Sequence, residues 1–407
     1  MKALLKLINI EFLIGFLTIG GTHLIMLLFF QLNQNASFAI VVGLRVLLVL
    51  FVAYYYVRNK PKQFKSSVLA FFALFWLFWC GRLLIEVLVP PLELMHPPVN
   101  YFVFFVTSAL VPFIYGNFIK SDKSMQNVLN GVICGVLSLV VVSVVMFRDM
   151  IISGNVHRLG HGDEVTVTPL AVSYIAAFVI VYFLWKILEY KFKIYYIIPI
   201  LLSVFALGLG ASKGPIFAMS IVLLGYFIVR KRLNYKVVVL FVLIFVIVQN
   251  LNFFGLDALE GRMTHSIEAN FQDGEREERY YLWMFSIEKF IENPLFGHSL
   301  EIRGSEASFL QNNFFSHNII LEAFLSTGLL GGIPLLLLLF ITLRNSIRIA
   351  RERKEDTWLL LFYILVVSHF MVSGTLYGGT WLWIFVGLIN GRYKYLSLQK
   401  QQRILIE

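Results

Sequence analysis

The chain of 407 residues is 58% hydrophobic and only 14% charged, and its mean hydropathy is +0.78. A soluble domain of this size carries about a quarter charged residues, so the composition excludes that class and indicates a membrane protein. The net charge of +10 does not indicate nucleic-acid binding, because the basic residues stand between apolar runs and form no patch.

Apolar runs long enough to cross a bilayer, about 20 residues each, recur along the whole chain. They predict an all-α integral membrane protein, a single polytopic bundle over residues 1–407 with about twelve transmembrane helices. Lys and Arg concentrate in alternate connecting segments, which predicts that both termini are cytoplasmic. The predicted spans are residues 10–31, 37–57, 66–89, 100–119, 127–147, 168–188, 194–211, 214–229, 237–253, 318–343, 357–374 and 378–391.

The second and third spans each contain an arginine, Arg45 and Arg82. A charge within the bilayer is costly unless it lines a cavity or meets a partner. Arg82 and Glu86 are four residues apart on one helix face, so they either neutralise each other or serve a site. Arg45 has no carboxylate within one helical turn, and we therefore expect it to bind an anionic group.

A short outer turn, residues 209–215, joins the seventh and eighth predicted spans. It contains Lys213, two residues before Pro215. Proline suits the first turn of a helix, and the exposed N–H groups there favour an anion. Lys213 is therefore predicted to bind a phosphate, the alternative being a lysine that snorkels at the end of a span.

The one long connection, residues 254–317, is predicted to form a periplasmic loop subdomain between the ninth and tenth spans. Its stretch 275–291 places Leu282, Phe285, Ile287 and Ile291 at near-helical spacing. This pattern predicts an amphipathic helix on the membrane surface or across the mouth of a cavity. We expect the functional site in this loop.

The tenth span begins with His317 and Asn318, and Ser316 is the predicted helix cap. A neutral histidine can take a proton from an alcohol, because its ordinary pKa is about 6.5. Glu322, one turn below Asn318, or Asn313 would orient the ring. A single histidine at a helix start is more often a polar cap, so the residues alone leave both roles open.

Two segments of this region each contain polar, apolar and glycine residues in a definite order and spacing. They read Arg279, Trp283, Asn293, Pro294, Leu295 and Gly297, and then His317, Asn318, Leu321, Glu322, Gly328 and Gly331. This pattern resembles the O-antigen polymerase and ligase family, bacterial proteins that act on undecaprenyl-diphosphate-linked glycans at the periplasmic face of the inner membrane. The chain departs from the family at Lys213, where arginine is usual, and at His298, since Gly-x-Gly is more common there.

The resemblance implies a glycosyl transfer without cofactor or metal. His317 would deprotonate an acceptor sugar hydroxyl, whose oxygen attacks the anomeric carbon of the donor and releases undecaprenyl diphosphate. Cations at the outer side would bind the diphosphate, and neighbouring polar residues would support the base. The cations are Lys213, Arg279, Arg276, Arg45 and Arg82, and the supporting residues are Asn313, Asn318 and Glu322.

Three functions remain open at this stage. A repeat-unit polymerase, for O-antigen or capsule, is favoured over a ligase that transfers the glycan to lipid A core, because the motifs read closer to polymerases. A flippase or transporter is disfavoured, since such folds often show repeated halves and broken helices in mid-membrane. The expected partners are a lipid-linked oligosaccharide, membrane lipid, a chain-length regulator and a flippase, and no nucleic acid.

Overall fold

The structure is a computed structural model that describes residues 9–30, 36–59, 66–89, 94–119, 121–146, 169–209, 213–230, 278–307 and 314–404. Within these ranges the chain is helical apart from turns and one isolated bridge. The predicted all-α class is therefore confirmed for them. In chain order the helices are α1 (Ile10–Phe29), α2 (Ala36–Asn59), α3 (Ser67–Leu88), α4 (Pro98–Phe118), α5 (Asp122–Met146), α6 (Pro169–Glu189), α7 (Ile197–Leu209), α8 (Lys213–Arg230), α9 (Glu278–Glu292), α10 (Ile319–Glu352), α11 (Thr357–Phe370) and α12 (Thr380–Ile404).

Six of the described helices are long and apolar enough to cross a membrane: α1, α3, α4, α5, α6 and α10. Helices α7 and α8 are apolar but shorter. Every predicted span except the ninth coincides with a helix to within a few residues. Helices α10 and α12 continue beyond the predicted ends of their spans. The ninth, residues 237–253, lies outside the described residues. The polytopic membrane class is thus confirmed, and the count of twelve spans stays a prediction.

The chain divides into two compact units, each made of three segments. The first unit contains α1, α2 and α5 to α8, and the second contains α3, α4, α9, α12 and most of α10. The first comprises Met1–Arg58, Ile119–Phe271 and Ile349–Leu365. The second comprises Asn59–Phe118, Gln272–Arg348 and Val366–Glu407.

In the first unit, glycines allow α1 and α5 to pack backbone against backbone. A Cβ atom at Gly20 would collide with the backbone of Gly135, and one at Gly131 would collide with the carbonyl of Phe12. Small residues at a helix interface permit this close approach in membranes, where dispersion contacts drive association. The two helices therefore form a tight pair.

In the second unit, α3, α4 and α12 meet in a buried aromatic cluster. The rings of Phe72 and Phe113 stack at 3.8 Å between centroids, and Trp383 meets Phe72 edge-on at 5.4 Å. Close glycine contacts also join α4 to α12, since a Cβ at Gly391 would lie 2.7 Å from the carbonyl oxygen of Asn117. This cluster packs α3, α4 and α12 together within the second unit, which also contains His317.

Candidate functional site

Helix α9 packs against the rest of the second unit through one of its faces. Leu282 and Phe285 are buried in a cluster with Ile302, Ala307 and Leu325, the last of which belongs to α10. The predicted loop helix is therefore confirmed over most of its length, beginning at Glu278 and ending at Glu292 in the described residues.

The four apolar residues that predicted an amphipathic helix do not all lie on one face of α9. Ile287 is 38% exposed and Ile291 is 68% exposed, whereas Leu282 is buried. At about 100° per residue, Ile287 and Ile291 point about 140° and 180° away from Leu282. Helix α9 thus has a buried apolar face and a second apolar face that is exposed.

Helix α10 is interrupted at Gly328, which has φ +60° and ψ −153° in an otherwise helical run. The turn that follows α9 packs directly against this interruption. A Cβ at Gly328 would collide with the carbonyl group of Leu295, and a Cβ at Gly297, where φ is +75°, would lie 2.6 Å from the carbonyl oxygen of Leu325. Both glycines are required by the close approach of the two backbones.

Hydrogen bonds across this contact satisfy backbone groups freed by the interruption. The N–H of His298 donates to the carbonyl of Leu325 at 2.6 Å, and the N–H of Leu329 donates to the carbonyl of Pro294 at 2.7 Å. A broken helix in a membrane protein needs such partners, because unpaired backbone groups cost several kcal/mol in hydrocarbon. The two resemblance motifs therefore form one structure, in which the segment 294–299 bonds to both halves of α10.

His317 precedes the first residue of α10 and adopts a left-handed backbone conformation, with φ +51°. The helix cap is Asn318, whose Oδ1 accepts the N–H groups of Ile320 at 3.0 Å and Leu321 at 3.2 Å. The prediction of Ser316 as the cap was wrong, because its hydroxyl instead donates to the carbonyl of Asn318. Asn318 thus caps α10 beside His317, and its support of the base stays a prediction.

The surroundings of His317 favour its neutral form. Burial lowers the pKa of the imidazole, and the nearby guanidinium of Arg279, exposed on α9, lowers the pKa further. The ring contacts Phe314 edge-on, with 5.4 Å between centroids. Its Nδ1 is buried and has no hydrogen-bond partner among the described residues. A neutral imidazole at physiological pH has a lone pair that can accept a proton.

Glu322 does not orient His317, contrary to one expectation from the sequence. Both of its carboxylate oxygens accept the N–H of Leu376, at 3.1 and 3.2 Å, and the side chain is buried. The carboxylate therefore fixes the segment between α11 and α12. The other predicted support, Asn313, and the predicted ligand Arg276 lie outside the described residues.

Arg82 and Glu86 on α3 pair with each other at 3.1 Å, which confirms the self-neutralising alternative. They also hold the turn after α9. Arg82 donates to the carbonyl of Gly297 at 3.5 Å, and Glu86 accepts the N–H of Leu300 at 2.7 Å. These contacts give Arg82 a structural role, and diphosphate binding by Arg82 stays a prediction.

The sequence analysis missed a further buried carboxylate, Glu301. It accepts the N–H of Met95 at 2.9 Å and the hydroxyl of Tyr101, so it joins the loop after α9 to the start of α4. The signal in the sequence was a single acidic residue between two apolar ones, Leu300 and Ile302. A charged residue is rarely fully buried unless it is paired, so a carboxylate in an apolar segment indicates partners elsewhere in the chain.

Two of the predicted cations, Lys213 and Arg45, belong to the first unit. Helix α8 begins at Lys213 with Pro215 in its first turn, which confirms the predicted helix start. Arg45 is half-buried on α2, and its charge acts on His23 of α1. Anion binding by either residue stays a prediction.

The region that contains these motifs matches a known family. Residues 198–336 match the family model described as O-antigen ligase. The resemblance to the O-antigen polymerase and ligase family is therefore confirmed. No curated protein matches the chain.

The O-antigen ligase match includes α7, α8, α9 and the first half of α10. His317, Arg279 and Lys213 lie within it, whereas Arg45 and Arg82 precede it. The match supports a function of O-antigen ligase or polymerase type, with a lipid-linked oligosaccharide as substrate, in a multi-pass membrane protein.

Proposed function

We propose that this protein is a glycosyltransferase that polymerises oligosaccharide repeat units carried on undecaprenyl diphosphate, at the periplasmic face of the inner membrane. The observation that carries the proposal is His317, a histidine with a lowered pKa at the capped start of α10 and close to the cation Arg279. A neutral base beside a positive charge suits a reaction that removes a proton from an alcohol and releases an anion.

In the proposed reaction, His317 accepts the hydroxyl proton of the acceptor sugar. The acceptor oxygen forms a bond to the anomeric carbon of the donor while the bond from that carbon to the diphosphate oxygen breaks. Undecaprenyl diphosphate leaves with the electron pair, and the guanidinium of Arg279 stabilises its charge. Arg279 is exposed on α9, so such a ligand can reach it from solvent.

The acceptor distinguishes polymerase from ligase. Purified protein is incubated with the lipid-linked repeat unit alone and, separately, with lipid A core added. Products of two or more repeats on the lipid carrier in the first reaction support the polymerase. Transfer only after addition of the core supports the ligase, and import of the donor into vesicles without bond formation supports a transporter.

The acidic limb of the pH–rate profile should lie below the ordinary histidine pKa of about 6.5. The base is active when neutral, so activity is kept above the lowered pKa of His317 and is lost as the pH falls through it. In Arg279→Gln the loss of a positive charge should raise this pKa and move the limb to higher pH. The measurement is kcat/KM against pH.

Lys289→Gln is the matched control for that experiment. Lys289 lies on the same helix but is paired with Glu292 at 2.9 Å. The variant should keep the acidic limb of the wild type. An unchanged limb in Arg279→Gln would show that Arg279 does not act on the base.

We also propose Lys213 as a ligand of the diphosphate. Its position at the start of α8 combines a positive charge with the N–H groups of a helix N-terminus. Lys213→Ala should raise KM for the lipid-linked donor about tenfold or more, and Lys213→Arg should retain near wild-type KM because it keeps the charge. Equal kinetics in the two variants would indicate a lysine that only anchors the span.

The proposed chemistry needs no Lewis acid, because His317 supplies the base and cations stabilise the leaving group. Activity should therefore be unchanged after treatment with a chelator and gel filtration. Loss of activity that a divalent ion restores would contradict the metal-independent mechanism.

A further inference from the structure

Three lysines of the first unit converge at the end of helix α6. The Nζ of Lys186 lies 4.3 Å from the ring centroid of Trp185 and 4.9 Å from that of Tyr190. The Nζ of Lys354 lies 5.4 Å from the ring of Tyr190, and Lys193 is close enough to Lys186 for their charges to repel. Lys186 and Lys354 thus share the ring of Tyr190, and Lys193 lies 5.6 Å from the ring of Tyr195.

None of these three lysines forms an ion pair with a carboxylate in the part of the chain that the structure describes. The acidic residues nearby form their ion pairs with arginines instead. Glu189 pairs with Arg230 at 2.5 Å, and Asp356 pairs with Arg353 at 3.4 Å. The remaining neighbour, Glu355, lies 3.9 Å from Arg353. Arg353 also pairs with Asp122 at 3.1 Å. The three lysines and two arginines therefore outnumber the four carboxylates, and the remaining positive charge attracts an anion.

The residues around the three lysines indicate the kind of molecule that carries this anion. Helix α6 is one of the helices able to cross a membrane, and its last turn contains Lys186. The adjoining segment alternates Lys191 and Lys193 with apolar side chains, since Phe192 is 50% exposed and Ile194 is 77% exposed. Interleaved cations and apolar side chains at the end of a span suit the boundary between headgroups and acyl chains.

We propose that Lys186, Lys193 and Lys354 form a binding site for the phosphate headgroup of an anionic phospholipid. The ammonium groups contact the phosphate, the rings of Trp185 and Tyr190 hold the side chains of Lys186 and Lys354, and the exposed apolar residues contact the acyl chains. The site belongs to the first unit and does not depend on the proposed glycosyl transfer.

The test measures lipid retained by the full-length protein. The purified, delipidated protein is mixed with equal amounts of phosphatidylglycerol and phosphatidylcholine, and bound lipid is counted by native mass spectrometry. The wild type should retain phosphatidylglycerol preferentially. Each lysine near an anionic headgroup contributes about fivefold in affinity, so Lys186→Gln should weaken retention about fivefold and Lys186→Gln with Lys193→Gln about twenty-five-fold.

Controls separate a lipid site from other causes. Lys193 is exposed, so Lys193→Gln alone tests the site without disturbing buried packing. Lys400→Gln, an exposed lysine on α12, should retain phosphatidylglycerol as the wild type does, and Lys193→Arg should too. Equal retention in Lys193→Gln and Lys400→Gln would overturn the proposal. Binding of inorganic phosphate with no preference for phosphatidylglycerol would overturn it as well.

Discussion

His317→Asn should lower the rate of glycosyl transfer by about a hundredfold to ten-thousandfold, the contribution typical of a general base. Asparagine tolerates the left-handed backbone that His317 adopts at φ +51°, so the variant removes the base and keeps the local conformation. His317→Ala should be as inactive, but alanine adopts this conformation less readily. Transfer is measured as the initial rate with purified protein and lipid-linked repeat unit.

His298→Ala is the control for the base. His298 belongs to the loop after α9 and contacts Glu306 at 2.8 Å, so its loss removes a hydrogen-bond partner of that carboxylate. Its rate should stay within a few-fold of the wild type. If His317→Asn keeps the wild-type rate while His298→Ala lowers it, the base has been assigned to the wrong histidine.

Gly328→Ala should destabilise the protein by about 3 kcal/mol or more and abolish transfer. Gly328 has φ +60° and ψ −153°, a conformation that is essentially restricted to glycine. The added Cβ would also collide with the carbonyl of Leu295, so the turn after α9 would separate from the interruption of α10. The measurement is the thermal unfolding midpoint in detergent, together with the transfer rate.

Gly81→Ala provides the matched control in the same unit. Gly81 lies within α3, and a Cβ there would meet nothing within 4 Å. Alanine is favoured over glycine in a helix by about 1 kcal/mol, so this variant should be as stable as the wild type or more stable. A Gly328→Ala protein that unfolds with the wild-type midpoint would show that the turn does not hold α10 together.

The part of the fold that depends on local pattern could be predicted from the sequence. Apolar runs of bilayer length gave most of the helices, and the spacing of Leu282 and Phe285 gave α9 with its buried face. The residue pattern around His317 also led to the family whose model matches residues 198–336, and the site residues Arg279 and His317 lie in the same unit.

Features that depend on contacts between distant segments could not be predicted. The glycines Gly297 and Gly328 were recognised as parts of two motifs, but their direct contact was not visible in the sequence. Glu322 was assigned to His317 because it is close in sequence, whereas Leu376 is its partner. A buried carboxylate binds whichever N–H group the fold brings to it, and sequence spacing does not identify that group.

The interruption of α10 also changes the comparison with transporters. Broken helices are common in transporters, where they line a site at mid-membrane. Here the segment 294–299 packs against the interruption at Gly328 and bonds to both of its sides. The interruption therefore serves to attach the loop that contains Arg279 to the helix that begins beside His317.

The most direct test of glycosyl transfer is the release of undecaprenyl diphosphate in step with bond formation. Purified protein is supplied with lipid-linked repeat unit labelled in both sugar and lipid, and the two products are counted over time. We expect one undecaprenyl diphosphate for each glycosidic bond, and none of either product from His317→Asn. Movement of intact donor across a vesicle membrane without release of undecaprenyl diphosphate would contradict the proposed reaction.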